Sequence, residues 1–211
     1  MAKTDVFDQF SDAYDEWFDG HADFYKAELE TVRMLMPSAE TRGIEVGVGS
    51  GKFAAPLGIR EGVEPSVKMA EKAERLGIHV HSGIAENLPL SNEGFGFVLM
   101  VTTICFVDDI LLSFKEAFRV LKPGGCIIVG FVDKESSLGR HYEEKRNQSK
   151  FYKDASFFST REVLTYLSKA GFVQPEIKQT LIPGDRKMTV LDGYGKGAFI
   201  AVKASKGAHH D

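Results

Sequence analysis

Gly43-Ile44-Glu45-Val46-Gly47-Val48-Gly49-Ser50-Gly51 is a short apolar strand pattern holding one carboxylate, which runs straight into glycines at every second position. Such glycines permit positive φ and let a ligand lie close to the backbone at a strand-to-helix turn. A triphosphate loop would need glycine at position 46 and serine or threonine at 53. Val46 and Phe53 stand there, so Lys52 does not complete that motif. The dinucleotide fingerprint is closer, because Gly49-Ser50-Gly51-Lys52-Phe53-Ala54 fits its form with a terminal alanine.

Glu45 tips the balance. A carboxylate just before the turn repels a pyrophosphate but attracts the ammonium of an amino-acid moiety, directly or through water. S-adenosylmethionine carries that ammonium and no phosphate. Glu64, ending the next strand pattern at an expected accessible position, can accept both hydroxyls of a ribose, which supports an adenosine-containing ligand.

Outward from this stretch, apolar runs at residues 44–46, 62–64, 78–81, 97–101 and 126–132 alternate with helical patterns at 66–76 and 109–121. That alternation predicts an α/β fold, a mostly parallel sheet with helices on both faces. Only residues 50–60 link the first two strands, and Pro56 interrupts them, so any helix in that crossover must be stubby. Upstream, Phe10, Tyr14, Trp17 and Phe18, then Leu29, Val32 and Met36, recur at helical spacing, giving a two-helix leader divided near Gly20 and ended by Pro37. Downstream, residues 137–158 form an insertion before Ser159-Thr160-Arg161-Glu162 opens a helix with capping-box spacing. Residues 172–181 and 198–202 supply the last two of seven strands, joined by a loop at 182–197.

The 211 residues suit one domain: a leader at 1–37, a cofactor-binding core at 38–132, an insertion at 133–158 and the rest of the sheet at 159–203. With 43% hydrophobic and 27% charged residues the composition is globular, and a net charge of −4 argues against a nucleic-acid partner. No secretory h-region or membrane-length apolar run is present, so a cytoplasmic location is expected. Cys105 and Cys126 sit in apolar segments and read as free thiols, with no metal site.

The ordered series formed by residues 44–51, Gly62-Val63-Glu64-Pro65-Ser66 with Met69, Ala85-Glu86-Asn87-Leu88-Pro89-Leu90, residues 95–101 and Leu121-Lys122-Pro123-Gly124-Gly125 resembles the class I S-adenosylmethionine-dependent methyltransferases with their Rossmann-like fold. It is similar to the type 11 group, near the quinone-biosynthesis branch. The resemblance implies that Glu45, Gly47, Gly49 and Gly51 hold the methionine portion, Glu64 and Pro65 the ribose, and Ala85 and Glu86 the adenine edge. Val101 and Thr102 would lie near the sulfonium, with S-adenosylhomocysteine as product. Ile84 and Gly96 stand where many relatives carry aspartate, which weakens the adenine contacts.

Displacement at a sulfonium needs alignment and exclusion of water more than it needs a base. Tyr14, Asp133, His141 and Cys105 are the polar side chains whose motif positions approach the site. Tyr14 and His141 are the catalytic candidates, His141 being the natural proton acceptor near neutral pH. The aromatic insertion, with Tyr142, Phe151, Tyr152, Phe157 and Phe158, favours a small organic acceptor. Two other functions stay open: an S-adenosylmethionine-binding domain without methyl transfer, and an NAD-dependent oxidoreductase.

Overall fold

A computed structural model describes residues 4–207; residues 1–3 and 208–211, and with them the ends of the expected leader and domain, lie outside the described part. Helices α1 (Asp5–Gly20) and α2 (Ala22–Arg33) precede a sheet whose strands are β1 (Gly43–Val46), β2 (Glu61–Val63), β3 (His79–His81), β4 (Phe95–Val101), β5 (Leu121–Val132), β6 (Phe172–Thr180), β7 (Leu191–Asp192) and β8 (Phe199–Lys206). Between them lie α3 (Val67–Arg75), α4 (Ile110–Val120), α5 (Ser137–Lys145) and α6 (Thr160–Lys169).

The strand order is β3-β2-β1-β4-β5-β8-β6-β7. The first five strands are parallel, while β8 runs antiparallel to both β5 and β6. Successive β4 residues point to opposite faces, as strand geometry requires. Val98 and Met100 join Phe114 of α4 and Leu167 of α6 on one side, and Leu99 and Val101 join Phe18, Ala27 and Ala73 on the other. The helices therefore cover both faces of the expected Rossmann-like sheet.

All seven anticipated strands form. An eighth, the two-residue β7, arises inside the segment expected to be only a loop, because Leu191 and Asp192 pair with Gln179 and Lys178 on the free edge of β6. The first crossover contains no helix at all. Ala55 and Leu57 donate to Gly51 and Phe53 in helical fashion, but Ile59 then donates to Ala54, so the segment is a set of turns. Pro56 lacks the N–H that a continuing helix would use. The leader divides as expected at Gly20, with His21 outside helical geometry, and also kinks at Phe10 (φ −124°). Ser159 and Glu162 form the reciprocal capping box that opens α6. No helix among the described residues is long and apolar enough to cross a membrane.

Candidate active site

Strands β1 and β4 are parallel neighbours from which the chain moves on to opposite sides, β1 towards β2 and β3 and β4 towards β5, and their carboxyl ends leave the crevice in which such sheets take ligands. After β1 the glycine turn folds onto β2: the N–H groups of Gly47 and Val48 both donate to the Val63 carbonyl, at 2.8 and 3.1 Å. Gly47 has φ +72°, and a Cβ there would lie 2.4 Å from Thr103 Cγ2. Gly49 (φ +55°) donates its N–H to Glu64 Oε2 at 2.9 Å, and Ser66 N–H donates to Oε1 at 2.9 Å. Glu64 is thus not the accessible strand end expected from sequence. It is 8% exposed, and burial pushes its carboxyl up although the two N–H donors pull the other way.

Glu45 lies deeper. Only 2% exposed, it interacts with the Ala54 N–H, and Oε2 has no hydrogen-bond partner. Burial raises its pKa well above the usual carboxylate range. An unpaired buried carboxyl oxygen is costly and marks a place where a donor belongs.

A cavity of about 750 Å³, counted out to its open mouth, occupies the crevice. Gly47, Gly49, Glu64, Pro65, Ala85, Glu86, Val101, Thr102 and Tyr14 all line it. Glu45 and Gly51 do not: the first sits beneath the turn, and the second packs against Ile78 behind it. His141 is exposed on α5 and does not reach the cavity. Asp133 is committed elsewhere, its carboxylate accepting from Thr160 Oγ1 at 2.6 Å, Thr160 N–H at 3.2 Å and Glu135 N–H at 2.8 Å. It anchors the insertion to α6 rather than facing a ligand. Cys105 Sγ donates to the Thr102 carbonyl at 3.4 Å.

Thr102 has φ +50°, an uncommon conformation for a β-branched residue and one that costs about 1–3 kcal/mol. Its N–H is held by the Gly130 carbonyl at 2.8 Å, so the sheet itself imposes the turn that aims residues 102–103 at the crevice. The Tyr14 ring forms part of the cavity wall and its hydroxyl interacts with Thr102; burial pushes the phenol above its ordinary value, so it stays protonated at neutral pH.

The leader and the insertion meet over this cavity. Phe151 packs 5.9 Å from both Phe7 and Tyr14, and Phe7 lies 4.9 Å from Phe106 on the loop after β4. Polar contacts fix α1 from the other side. Ser66 Oγ donates to Asp8 at 2.6 Å, Ser50 Oγ to Asp15 at 2.6 Å, and Lys72 bridges Asp12 and Asp15 at 2.7 and 2.8 Å. Sequence reasoning did not single out these aspartates, although their spacing of four and three residues marks one helix face. Glu86, besides lining the cavity, accepts from the Asp108 N–H at 2.6 Å.

The family model described as a methyltransferase domain matches residues 44–129, the stretch that builds this crevice. A solved structure from Thermotoga maritima, described as a SAM-dependent methyltransferase and possible histamine N-methyltransferase, is 50% identical with a TM-score of 0.92, covering 95% of this chain and 98% of that one. The chain belongs to the class I S-adenosylmethionine-dependent methyltransferases. An uncharacterized protein of Methanocaldococcus jannaschii is 44% identical over 204 residues, covering 95% of this chain and 98% of that protein. A demethylmenaquinone methyltransferase of Chlorobaculum parvum is similar over a shorter stretch, 28% identical over 97 residues, which is 43% of this chain and 40% of that protein. In this methyltransferase the glycine turn, the strand-end acid and the post-β4 turn surround one cavity, as the order of the motifs implies.

Proposed function

We propose that the protein binds S-adenosylmethionine in the crevice between the β1 and β4 ends and transfers its methyl group to a small organic acceptor. One observation carries the reading: the glycine turn, Glu64, Ala85-Glu86 and Val101-Thr102 come from four separate stretches of chain and line a single cavity roofed by aromatic side chains. The residues suit the cofactor chemically. The unpaired oxygen of buried Glu45 asks for a donor such as an amino group, and Gly47 and Gly49 leave the turn free of side chains. Glu64 retains acceptor capacity on both oxygens beyond its two backbone bonds. When bound, S-adenosylmethionine supplies an electrophilic methyl on a positively charged sulfur.

The protein's part is then alignment and dryness. Gly47, Gly49 and Glu64 hold the polar parts of the cofactor from the cavity wall, with Glu45 acting from behind that wall through the glycine turn or a water, while Val101 and Thr102 border the reacting region. Tyr14 closes the wall with a hydroxyl that donates rather than takes a proton, and Phe7, Phe106 and Phe151 exclude water. His141 stands too far outside the cavity for the proton-acceptor role that its residue type suggests. The NAD alternative fits less well, because β8 returns antiparallel beside β5 and a second mononucleotide-binding half is not built there.

Transfer of isotopically labelled methyl from S-adenosylmethionine to a panel of small amines, phenols and acids tests the reading. Label in an acceptor supports it. Tight binding of S-adenosylhomocysteine without label in any acceptor would favour a binding domain that does no transfer.

A further inference from the structure

Between β3 and β4 the chain runs through residues 82–94 with no regular element beyond a single bridge between Ile84 and Asn87. On the way it forms one wall of the crevice, since Gly83, Ile84, Ala85 and Glu86 line the cavity. What fixes this irregular segment lies behind it, on α4. Glu116 and Arg119 stand one helical turn apart and pair through two bonds of 2.7 Å, Nε to Oε1 and Nη2 to Oε2. Together they hold both main-chain polar groups of Leu88. Its N–H donates to Glu116 Oε2 at 2.8 Å, and its carbonyl accepts from Arg119 Nη2 at 3.1 Å. Arg119 Nη1 reaches further along the segment, donating to the Leu90 carbonyl and to Asn92 Oδ1, both at 2.8 Å. A guanidinium carries five N–H groups in a rigid fork, and these contacts use every one.

Burial alone would keep the segment beside α4, because the Leu88 side chain is buried and Leu90 packs against the core. The fork adds a fixed position, since charge-assisted bonds from a planar group are directional where apolar contact is not. That position is passed on to the cavity. The Asn87 N–H donates to the Ile84 carbonyl at 3.2 Å and closes a tight turn, so a shift at Leu88 moves Ala85 and Glu86 with it. From the other side, Glu86 Oε1 accepts from the Asp108 and Asp109 N–H groups at 2.6 and 3.2 Å, just before the start of the same helix. The wall is therefore tied to both ends of α4.

We propose that Arg119 is a positioning residue for the cofactor site: acting through Leu88, it sets the wall at Ala85 and Glu86 against the adenine ring and so determines selectivity for that base. The inference rests on the S-adenosylmethionine reading of the crevice and adds a determinant outside it, for neither Arg119 nor Glu116 lines the cavity. Selectivity of this kind depends on placement, because a hydrogen bond weakens steeply when its partners are misaligned. Adenine presents an amino group at the edge where hypoxanthine presents a carbonyl. Glu86 Oε2 remains free to accept beyond the two backbone bonds on Oε1, so a wall held in place favours the amino group and repels the carbonyl.

Titration calorimetry on the full chain with S-adenosylhomocysteine and with S-inosylhomocysteine, which differ in the base, tests this. The wild type should prefer the adenine compound by at least about tenfold. Arg119→Met, which keeps an unbranched apolar stem but no donors, should weaken S-adenosylhomocysteine by about tenfold and S-inosylhomocysteine by less than about twofold, so that the preference nearly disappears. Arg119→Lys keeps the charge but offers one ammonium in place of the fork, and its preference should stay within about threefold of that of Arg119→Met. A role confined to stability would weaken both compounds alike. Equal weakening of the two, an unchanged preference in Arg119→Met, full recovery in Arg119→Lys, or a wild type that does not discriminate would each overturn the inference. Arg119→Lys decides the matter if Arg119→Met fails to fold: a wild-type preference in it overturns the inference, and a lost one supports it. Failure of S-adenosylhomocysteine to bind the wild type would instead strike the reading of the crevice itself.

Discussion

At the scale of single residues, the three buried glutamates carry most of the testable chemistry. Glu28 binds its proton more tightly in the folded protein, at about pH 8, than an ordinary glutamate does in the unfolded chain. Between those two values the folded state holds the extra proton, so stability falls as pH rises, by about 1.4 kcal/mol per pH unit from this group. Glu28→Gln should therefore match the wild type in thermal stability near pH 4.5 and exceed it increasingly up to pH 8, a trend that melting curves across that range can read. Glu64 differs, because its carboxylate already serves the Gly49 and Ser66 N–H groups. Glu64→Ala should weaken S-adenosylhomocysteine by about 2 kcal/mol and also lower the melting temperature, since two backbone donors lose their acceptor. Gly47→Ala should abolish cofactor binding, because the added Cβ would lie 2.4 Å from Thr103 Cγ2 at a φ of +72°. Glu45 was legible from sequence as the acid before the turn. Glu28 was not, because a glutamate among helical neighbours reads as solvated, and only the packing of α2 on the sheet turns its position inward.

At the scale of elements, α1 is pinned by charge on one side and by aromatic rings on the other, and we propose that it acts as a lid. Lys72 bridges Asp12 and Asp15, and its ammonium holds the Asp12 carboxyl below the usual carboxylate range. Asp12 is largely solvent-facing whereas Lys72 and Asp15 are mostly covered, so the Lys72–Asp12 contact is weak and screened by salt and the Lys72–Asp15 contact less so. Lys72→Ala should speed hydrogen exchange of the amides at residues 10–18 several-fold without changing exchange in the core strands. Added S-adenosylhomocysteine should slow exchange both there and at residues 139–158, since a ligand that favours the closed state protects whatever closes over it. Protection confined to residues 45–64 and 85–102 would show that the aromatic residues belong to the static core. The helical periodicity of Tyr14, Trp17 and Phe18 was enough to draw this leader. Its docking on α3 through Asp8, Asp12 and Asp15 was hidden, because acids on a helix face do not name their partners until the fold brings Ser66 and Lys72 beside them.

At the scale of the whole molecule, the period of the apolar runs foretold a parallel sheet, and the ordered motifs foretold where its ligand crevice lies. What local pattern could not supply was set by tertiary pairing: the two residues of β7 have no strand signature and exist because β6 offers a free edge. The helix imagined in the first crossover is likewise absent, since Pro56 and the short span leave room only for turns. The reach of side chains across the crevice followed the same rule, so that Gly49 and Glu64 converge on one cavity while His141 does not. The central claim is that this crevice is built for an adenosine carrying an amino acid rather than for a dinucleotide. Isothermal titration of the intact protein with S-adenosylhomocysteine, followed by the same titration in the presence of excess NAD, tests it directly. The account expects one site per chain with micromolar affinity, about 8 kcal/mol, and no effect of NAD. Displacement of S-adenosylhomocysteine by NAD at similar concentration, or NAD binding where S-adenosylhomocysteine gives no heat, would contradict it.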